Sequence, residues 1–303
     1  MDYCEFCCTF AAEMKIFKQI VTWLGIMAGL TLLAIGLWYI LFHGSQSTGS
    51  LKWFQFLQTF ATFLMPPILC AWMWDTNHRP SVWLKLNHAP RWQTFLFAVG
   101  IMICLLPGIN LLADLNSRIE LPKSLDFIEQ IFKQQEEAAA ALTERFLQAD
   151  TIGQLLLNIG LMALLPAFAE ELTFRGTLQQ IVKGEGLRVT GYRTHAAIWI
   201  TAFVFSAIHM QFYGFIPRML MGALFGYMLV WTGSLWIPVT MHFTNNALAV
   251  IAYYIEHSAF SIQNSDINIA DTFGTGDTWY IGVISLLITC PGLLIFYRRT
   301  HTQ

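Results

Sequence analysis

The stretch GQLLLNIGLMALLPAFAEELTFRG, Gly153–Gly176, decides the fold class of this chain. Its residues from Gly153 to Ala169 carry no charged side chain, which is typical of a helix that crosses a membrane. Glu170, Glu171 and Arg175 then follow in the same stretch. Because an ionised side chain is costly inside a bilayer, such residues are rare there and are candidates for function.

The rest of the chain repeats this apolar pattern. Hydrophobic residues make up 55% of the 303 residues and charged residues only 12%, whereas a soluble domain carries about 25% charged residues. Apolar runs of about 20 residues recur, so we predict an all-α, polytopic membrane protein with about eight transmembrane helices in one bundle. The predicted spans are 20–42, 53–74, 93–113, 154–182, 195–211, 216–232, 235–256 and 278–297.

The spans indicate a single membrane domain, 1–303, in four parts. Residues 1–113 hold the first three spans, 154–256 hold spans 4–7 and the polar residues discussed below, and 257–303 hold the last loop and span 8. Residues 114–153 form a connector whose apolar side chains recur at helical spacing. We expect either an amphipathic helix that lies on the outer surface or caps the bundle, or a solvated helical hairpin.

Charge in the loops predicts the orientation. Lys and Arg occur before span 1, between spans 2 and 3, between spans 4 and 5, and after span 8, whereas the loop before span 8 is acidic. The positive-inside rule then places both termini in the cytoplasm of an integral, multi-pass protein. We expect the inner membrane of a bacterial cell, with a eukaryotic endomembrane as the alternative. A net charge of −2 without a basic patch excludes nucleic acid as an expected partner.

Helical spacing separates the two neighbouring carboxylates. Glu171 and Arg175 are four residues apart, so they share a helix face and can neutralise each other. Glu170 points about 100° away and has no charged residue three or four positions from it. Glu171 is therefore expected to pair within its own helix, whereas Glu170 is available to a group outside that helix.

Further polar residues occur in the later spans. His209 and His242 lie in the apolar runs AFVFSAIHM and WIPVTMHFTNNALAV, and Asn246 is one turn beyond His242. A carboxylate withdrawn from water can act as a general base, an imidazole can share the proton or bind a metal, and an amide can donate to an oxyanion. Hydrolysis of an amide bond within the membrane uses all three.

Three motifs give these residues a resemblance to a known family. EELTFR (Glu170–Arg175), FSAIH (Phe205–His209) and HFTNN (His242–Asn246) look like E-E-x-x-x-R, F-x-x-x-H and H-x-x-x-N. Their order on successive spans resembles the CAAX prenyl protease and bacteriocin-processing (CPBP, or Abi) intramembrane protease family. The resemblance covers about residues 155–254 and implies an eight-span helical core with the site inside the bilayer.

The resemblance also implies roles for the individual residues. Glu170 would activate the hydrolytic water with the assistance of His209, and Glu171 and Arg175 would orient their helix. The expected activity is that of an endopeptidase. Its substrate would be a peptide or protein with a membrane-associated or lipidated, CAAX-type segment, and its other partner would be the membrane lipid bilayer.

The resemblance leaves the use of a metal open. His242 and Asn246 would bind the oxyanion or, in the metalloprotease form of the family, His209 and His242 would bind Zn2+ together with Glu170. A catalytic zinc normally takes three protein ligands, and Glu170 could not then also be a free base. The chain has no HExxH motif, so a water activated by glutamate without a metal is at least as consistent with these residues.

Two other classes of function compete with the protease. A proton-coupled transporter would use Glu170 and the histidines as a proton relay, but the polar residues concentrate between 170 and 246, which favours a hydrolase. A non-catalytic membrane scaffold or immunity factor could retain the same fold and use the polar pocket for binding.

Overall fold

A computed structural model describes residues 3–184, 191–257 and 273–301, with side chains for 13–184, 191–257 and 273–300. Most of the acidic loop before span 8 lies outside these residues. Nine helices longer than two turns organise the described chain. They are α1 (Tyr3–Phe42), α2 (Thr48–Trp74), α3 (Trp92–Ser117), α4 (Asp126–Leu147), α5 (Ile152–Lys183), α6 (Gly191–Ala207), α7 (Phe215–Thr232), α8 (Trp236–His257) and α9 (Trp279–His301).

These helices confirm the prediction of an all-α polytopic membrane protein. Each of the eight predicted spans falls on a helix, and within the described residues six helices are long and apolar enough to cross a membrane: α1, α2, α3, α5, α7 and α9. The other two are α6, which has only 17 residues, and α8, which carries the polar motif around His242. The predicted end of span 5 at residue 211 is wrong, because α6 stops at Ala207 and His209 lies in the turn that follows.

The helix α5 has a capped N-terminus and two turns of π-helix. Thr151 and Gln154 form a capping box at its N-terminus, which satisfies backbone N–H groups that have no partner within the helix. The hydrogen-bond pattern widens to a π-helix at Ile159–Leu164 and again at Leu172–Leu178. Such widened turns occur frequently at functional sites, and here the second one carries Arg175.

The helices α3 and α9 pack closely around a proline. Pro107 inside α3 has no N–H, which interrupts the helix hydrogen bonds. Ser285 of α9 compensates, since its hydroxyl accepts from the N–H of Gly108 and donates to the carbonyl of Cys104. A side-chain Cβ at Gly108 would lie 2.7 Å from Leu286, so this close approach requires glycine. Neighbouring side chains commonly satisfy backbone groups freed by proline in membrane helices.

The connector forms one helix, α4, that packs across one end of the bundle. Phe132 of α4 stacks on Phe212 with ring centroids 5.1 Å apart, and the Glu136 carboxylate accepts from the N–H of Tyr213. Arg145 donates to the carbonyl of Gln46 before α2. Asp126–Leu147 is thus one continuous helix that contacts the turn after α6 and the segment before α2.

Candidate active site

The site begins with a buried ion pair inside α5. Arg175 Nη1 donates to Glu171 Oε1 at 2.7 Å, and both side chains are fully buried. The ion pair predicted from the four-residue spacing is therefore confirmed. Because two charges are withdrawn from water together, each needs the other and further hydrogen-bond partners to remain ionised.

Two other helices supply those partners for Arg175. Its Nη2 donates to the carbonyl of Gly222 in α7 at 3.1 Å, and its Cζ lies 4.5 Å from the ring centroid of Phe205 in α6 and 5.4 Å from that of Phe225. A Cβ at Gly222 would lie 3.2 Å from Nη2, so the glycine leaves the space that the guanidinium occupies. The cation is thus held by one carboxylate, one carbonyl and aromatic faces.

His242 connects α8 to this ion pair. Its Nδ1 lies 2.9 Å from Glu171 Oε1, the same oxygen that accepts from Arg175. Because an ionised carboxylate can only accept, Nδ1 carries the proton and the ring orientation is fixed. The imidazole stacks on Phe225 with ring centroids 5.5 Å apart. Glu171 is therefore the carboxylate that contacts both Arg175 and His242.

Glu170 has a different environment from Glu171. Its side chain retains 17% of its exposure, and its Oε2 lies 3.9 Å from His242 Nε2, beyond hydrogen-bond distance. No ion pair within α5 involves it, as the spacing predicts. The Glu170 carboxylate is consequently free to accept a proton from a water molecule or a bound group next to His242.

His209 reaches the site from the turn after α6. Its Nδ1 lies 2.7 Å from the carbonyl of Phe205, which can only accept, so Nδ1 carries the proton and Nε2 is left to accept one or to bind a metal. Its ring packs edge-on against Phe205 with centroids 5.0 Å apart. The next residue, Met210, has a φ of 54° in the left-handed region, and this conformation belongs to the turn that ends α6.

Asn246 lies one turn beyond His242 on α8 and is half-buried. Its Oδ1 accepts from Nδ2 of Asn245 at 3.1 Å. The side chain of Asn245 thus contacts that of its neighbour Asn246. This contact occupies the Asn246 oxygen and leaves its N–H groups as the donors for a bound group.

The residues proposed as zinc ligands do not form a ligand set. Among the described residues, no three His, Cys, Asp or Glu side chains are grouped so that they could hold a metal ion. Of the three candidate ligands, Glu170 Oε2 and His242 Nε2 lie 3.9 Å apart. The other ring nitrogen of His242, Nδ1, is bound to Glu171. We therefore derive no chemical step through a metal, and the proposed Zn2+ stays a prediction.

The structure adds residues that the motifs did not reveal. Phe225 stacks on His242 and faces Arg175, and nothing in its sequence context distinguishes it from other apolar residues of α7. Arg218, at the start of the same helix, lies close enough to Glu170 and His209 to interact with them electrostatically. The sequence FIPRML contains a signal for Arg218, because a cation at the edge of an apolar run is a functional candidate by the same reasoning as Glu170.

Comparisons with known proteins give a family match over the segment that carries these residues. Residues 152–248 match the family described as type II CAAX prenyl endopeptidase Rce1-like. The uncharacterized protein YpbD of Bacillus subtilis (strain 168) is 34% identical over 104 residues, which cover 33% of this chain and 48% of that protein. This chain therefore spans about half the length of that relative. No solved structure matches the chain. The matched segment contains Glu170, Glu171, Arg175, His209, His242 and Asn246, so all six candidate residues lie in the part of the chain that is similar to the type II CAAX prenyl endopeptidase Rce1-like family.

Proposed function

We propose that the chain is an intramembrane endopeptidase in which Glu170 activates a water molecule. The observation that carries this proposal is the division between two adjacent carboxylates. Glu171 is fully buried and bound to Arg175 and His242. Glu170 is partly exposed, and its carboxylate lies beside His242 beyond hydrogen-bond distance. Adjacent acids in different environments are a common sign of distinct catalytic and structural roles.

The chemistry of the proposed reaction follows from these contacts. Glu170 would accept a proton from water while the water oxygen attacks the peptide carbonyl, and Glu170 would then return the proton to the leaving amine. His209 Nε2 is the second acceptor available to that water. Each step uses a group of this chain whose position is described above.

The oxyanion that forms in this attack needs donors. The side-chain N–H groups of Asn246 can donate to the oxyanion without any change of protonation. To donate as well, His242 must carry a proton on Nε2, and the Glu171 carboxylate on Nδ1 would compensate the positive charge. Arg175 is too enclosed to contact a substrate and would act by holding Glu171.

The proposed substrate is a peptide with a membrane-associated or lipidated segment, with prenylated CAAX-type peptides as the first class to examine. The family match supports a protease of this kind, and the position of the site among apolar helices supports a substrate that partitions into lipid. We further propose that both termini are cytoplasmic, from the loop charges. Single cysteines placed at either terminus and labelled by an impermeant reagent in intact cells would test this orientation.

The function is tested with purified protein in detergent and in vesicles, on fluorogenic peptides with and without a prenyl group. Glu170→Gln should lower the cleavage rate by about 100-fold or more, the usual contribution of a general base. Glu137→Gln, on the exposed surface of α4, is the matched control and should cleave like the wild type. Equal rates for wild type and Glu170→Gln, or no cleavage of any peptide by folded wild type, would contradict the protease and favour a scaffold.

A further inference from the structure

Arg218 has a guanidinium nitrogen that no acceptor satisfies. The residue lies in the second turn of α7 and is half-buried. Its Nη2 donates to the side-chain oxygen of Gln211, while its Nη1 is closed off from solvent and has no hydrogen-bond partner. Leaving a buried charged donor without an acceptor is costly, so each such group requires an explanation.

The backbone before α7 is shaped around this side chain. A Cβ at Gly214 would lie 2.9 Å from Arg218 Nη2 and 3.5 Å from Cζ. The backbone of Gly214 adopts an ordinary negative φ of −104°, so the glycine serves by leaving space rather than by its conformation. The guanidinium is thus held in a fitted position between Gln211 and Gly214.

Two acidic side chains lie near Arg218 but do not satisfy it. Glu136 of α4 and Glu170 of α5 are both close enough to interact with it electrostatically. Glu136 accepts from the N–H of Tyr213, and neither carboxylate forms an ion pair or a hydrogen bond with Arg218 in the structure. Both balance the charge of the guanidinium from a distance, and neither accepts a hydrogen bond from Nη1.

A cavity of about 450 Å3 adjoins the position of Arg218. Glu136, Tyr213 and Gly214 line it, together with polar residues at the end of α3. Gly214 both lines this cavity and lies against the Arg218 guanidinium, which also interacts electrostatically with Glu170. The cavity therefore ends one residue away from Arg218.

We propose that Arg218 binds a carboxylate of the peptide substrate and thereby determines which peptide bond reaches Glu170. The planar guanidinium presents two parallel N–H donors that fit a carboxylate, and the unsatisfied Nη1 supplies the missing donor–acceptor pair on binding. The carboxylate belongs either to the free C-terminus of the substrate or to an aspartate or glutamate side chain. This inference rests on the proposed function and deepens it.

The test compares matched peptides on matched variants. One peptide pair carries a free C-terminal acid or the amide, and a second pair, amidated, carries an internal Asp or Asn. Cleavage by the wild type is measured as KM and kcat, and binding is measured on Glu170→Gln protein with the same peptides. Arg218→Gln removes the positive charge. Arg218→Lys keeps the charge but lacks the two parallel N–H donors of the guanidinium. Arg79→Gln, an exposed cation between α2 and α3 away from this cavity, is the control.

The wild type should prefer one acid peptide over its neutral partner by about 10- to 100-fold in KM and in binding, the range expected for a charge-assisted hydrogen bond. Arg218→Gln should abolish that preference with little change in kcat, Arg218→Lys should restore part of it, and Arg79→Gln should keep all of it. The peptide pair that shows the preference identifies the source of the carboxylate.

Two results would overturn the inference, and a third separates it from the proposed function. An equal affinity of wild type for acid and neutral peptides would exclude carboxylate binding. An equal loss of kcat on all peptides in Arg218→Gln would instead make Arg218 a group that stabilises the oxyanion or positions Glu170. If Glu170→Gln protein binds acid peptides preferentially through Arg218 while the wild type cleaves none, the inference stands and the protease fails.

Discussion

His242 and Glu171 are in direct contact although 71 residues separate them, with Nδ1 and Oε1 2.9 Å apart in the buried interior of the bundle. The same Glu171 oxygen accepts from Arg175. One carboxylate therefore compensates a cation on its own helix and fixes an imidazole on another. This arrangement leaves Glu170 as the carboxylate beside His242 that remains available for chemistry.

Replacing Glu171 should cost far more stability than replacing Glu170. Glu171→Gln leaves Arg175 buried without its counter-charge, and breaking a buried ion pair by removing one partner costs about 3–5 kcal/mol. The apparent unfolding temperature in detergent should fall clearly for Glu171→Gln and little for Glu170→Gln. Similar unfolding temperatures for the two variants would contradict the structural role of Glu171.

Replacing Gly222 by alanine should destabilise the protein. A Cβ there would lie 3.2 Å from Arg175 Nη2, from Ala202 Cα and from Phe205 Cδ1. Gly222→Ala should therefore destabilise the protein by about 1–3 kcal/mol, the usual cost of overpacking, and reduce activity by moving Arg175. Gly25→Ala in α1 is the control, because nothing lies within 4 Å of its added Cβ. An equal effect of both substitutions on the unfolding temperature would argue against this close packing.

The docking of α4 should depend on one aromatic pair. Phe212→Ala removes the ring that stacks on Phe132 and should weaken the contact by about 0.5–1.5 kcal/mol beyond the lost area. We expect faster amide hydrogen exchange in Asp126–Leu147, measured by mass spectrometry. Phe127→Ala, on a side chain that is 75% exposed, should leave the exchange of α4 unchanged. Unchanged exchange in Phe212→Ala would show that other contacts hold α4.

The N-terminal part of α4 should loosen in acid. The Lys133 ammonium, and then the N–H of Leu121, lower the pKa of Glu129 below its usual value. A lowered pKa means that the folded state prefers the ionised group, so the stabilisation is present above the usual glutamate pKa and is lost as the pH falls through the lowered value. The protection of the Leu121 amide, its exchange rate relative to the intrinsic rate at the same pH, should fall over that acidic range. Glu129→Gln should already exchange fast at neutral pH, and a pH response that survives in this variant would contradict the assignment.

Removal of metal should leave peptide cleavage unchanged. No three His, Cys, Asp or Glu side chains in the described parts of the chain form a group that could hold an ion. We expect the wild type to cleave equally before and after dialysis against a chelator. A loss of cleavage that returns with Zn2+, together with loss of bound zinc in His209→Ala and His242→Ala, would instead establish the metal form of the mechanism.

The local part of the site follows from the sequence because helix geometry fixes it. Four-residue spacing alone places Glu171 beside Arg175 and turns Glu170 away from it, and both features are present in the structure. The end of α6 could not be located in the same way. An apolar run continues through Ile208, but the backbone leaves the helix after Ala207 and carries His209 on a turn.

By itself, the sequence determined the fold class, the apolar helices and the pairing within α5, since each depends on composition or on contacts a few residues apart. Only the tertiary structure decided that His242 binds Glu171, that Phe225 supports both His242 and Arg175, and that Arg218 has a buried, unsatisfied nitrogen and interacts electrostatically with Glu170. These contacts join different helices. They depend on how the helices cross and on the space left by glycines such as Gly214 and Gly222, which no periodicity along one chain segment can specify.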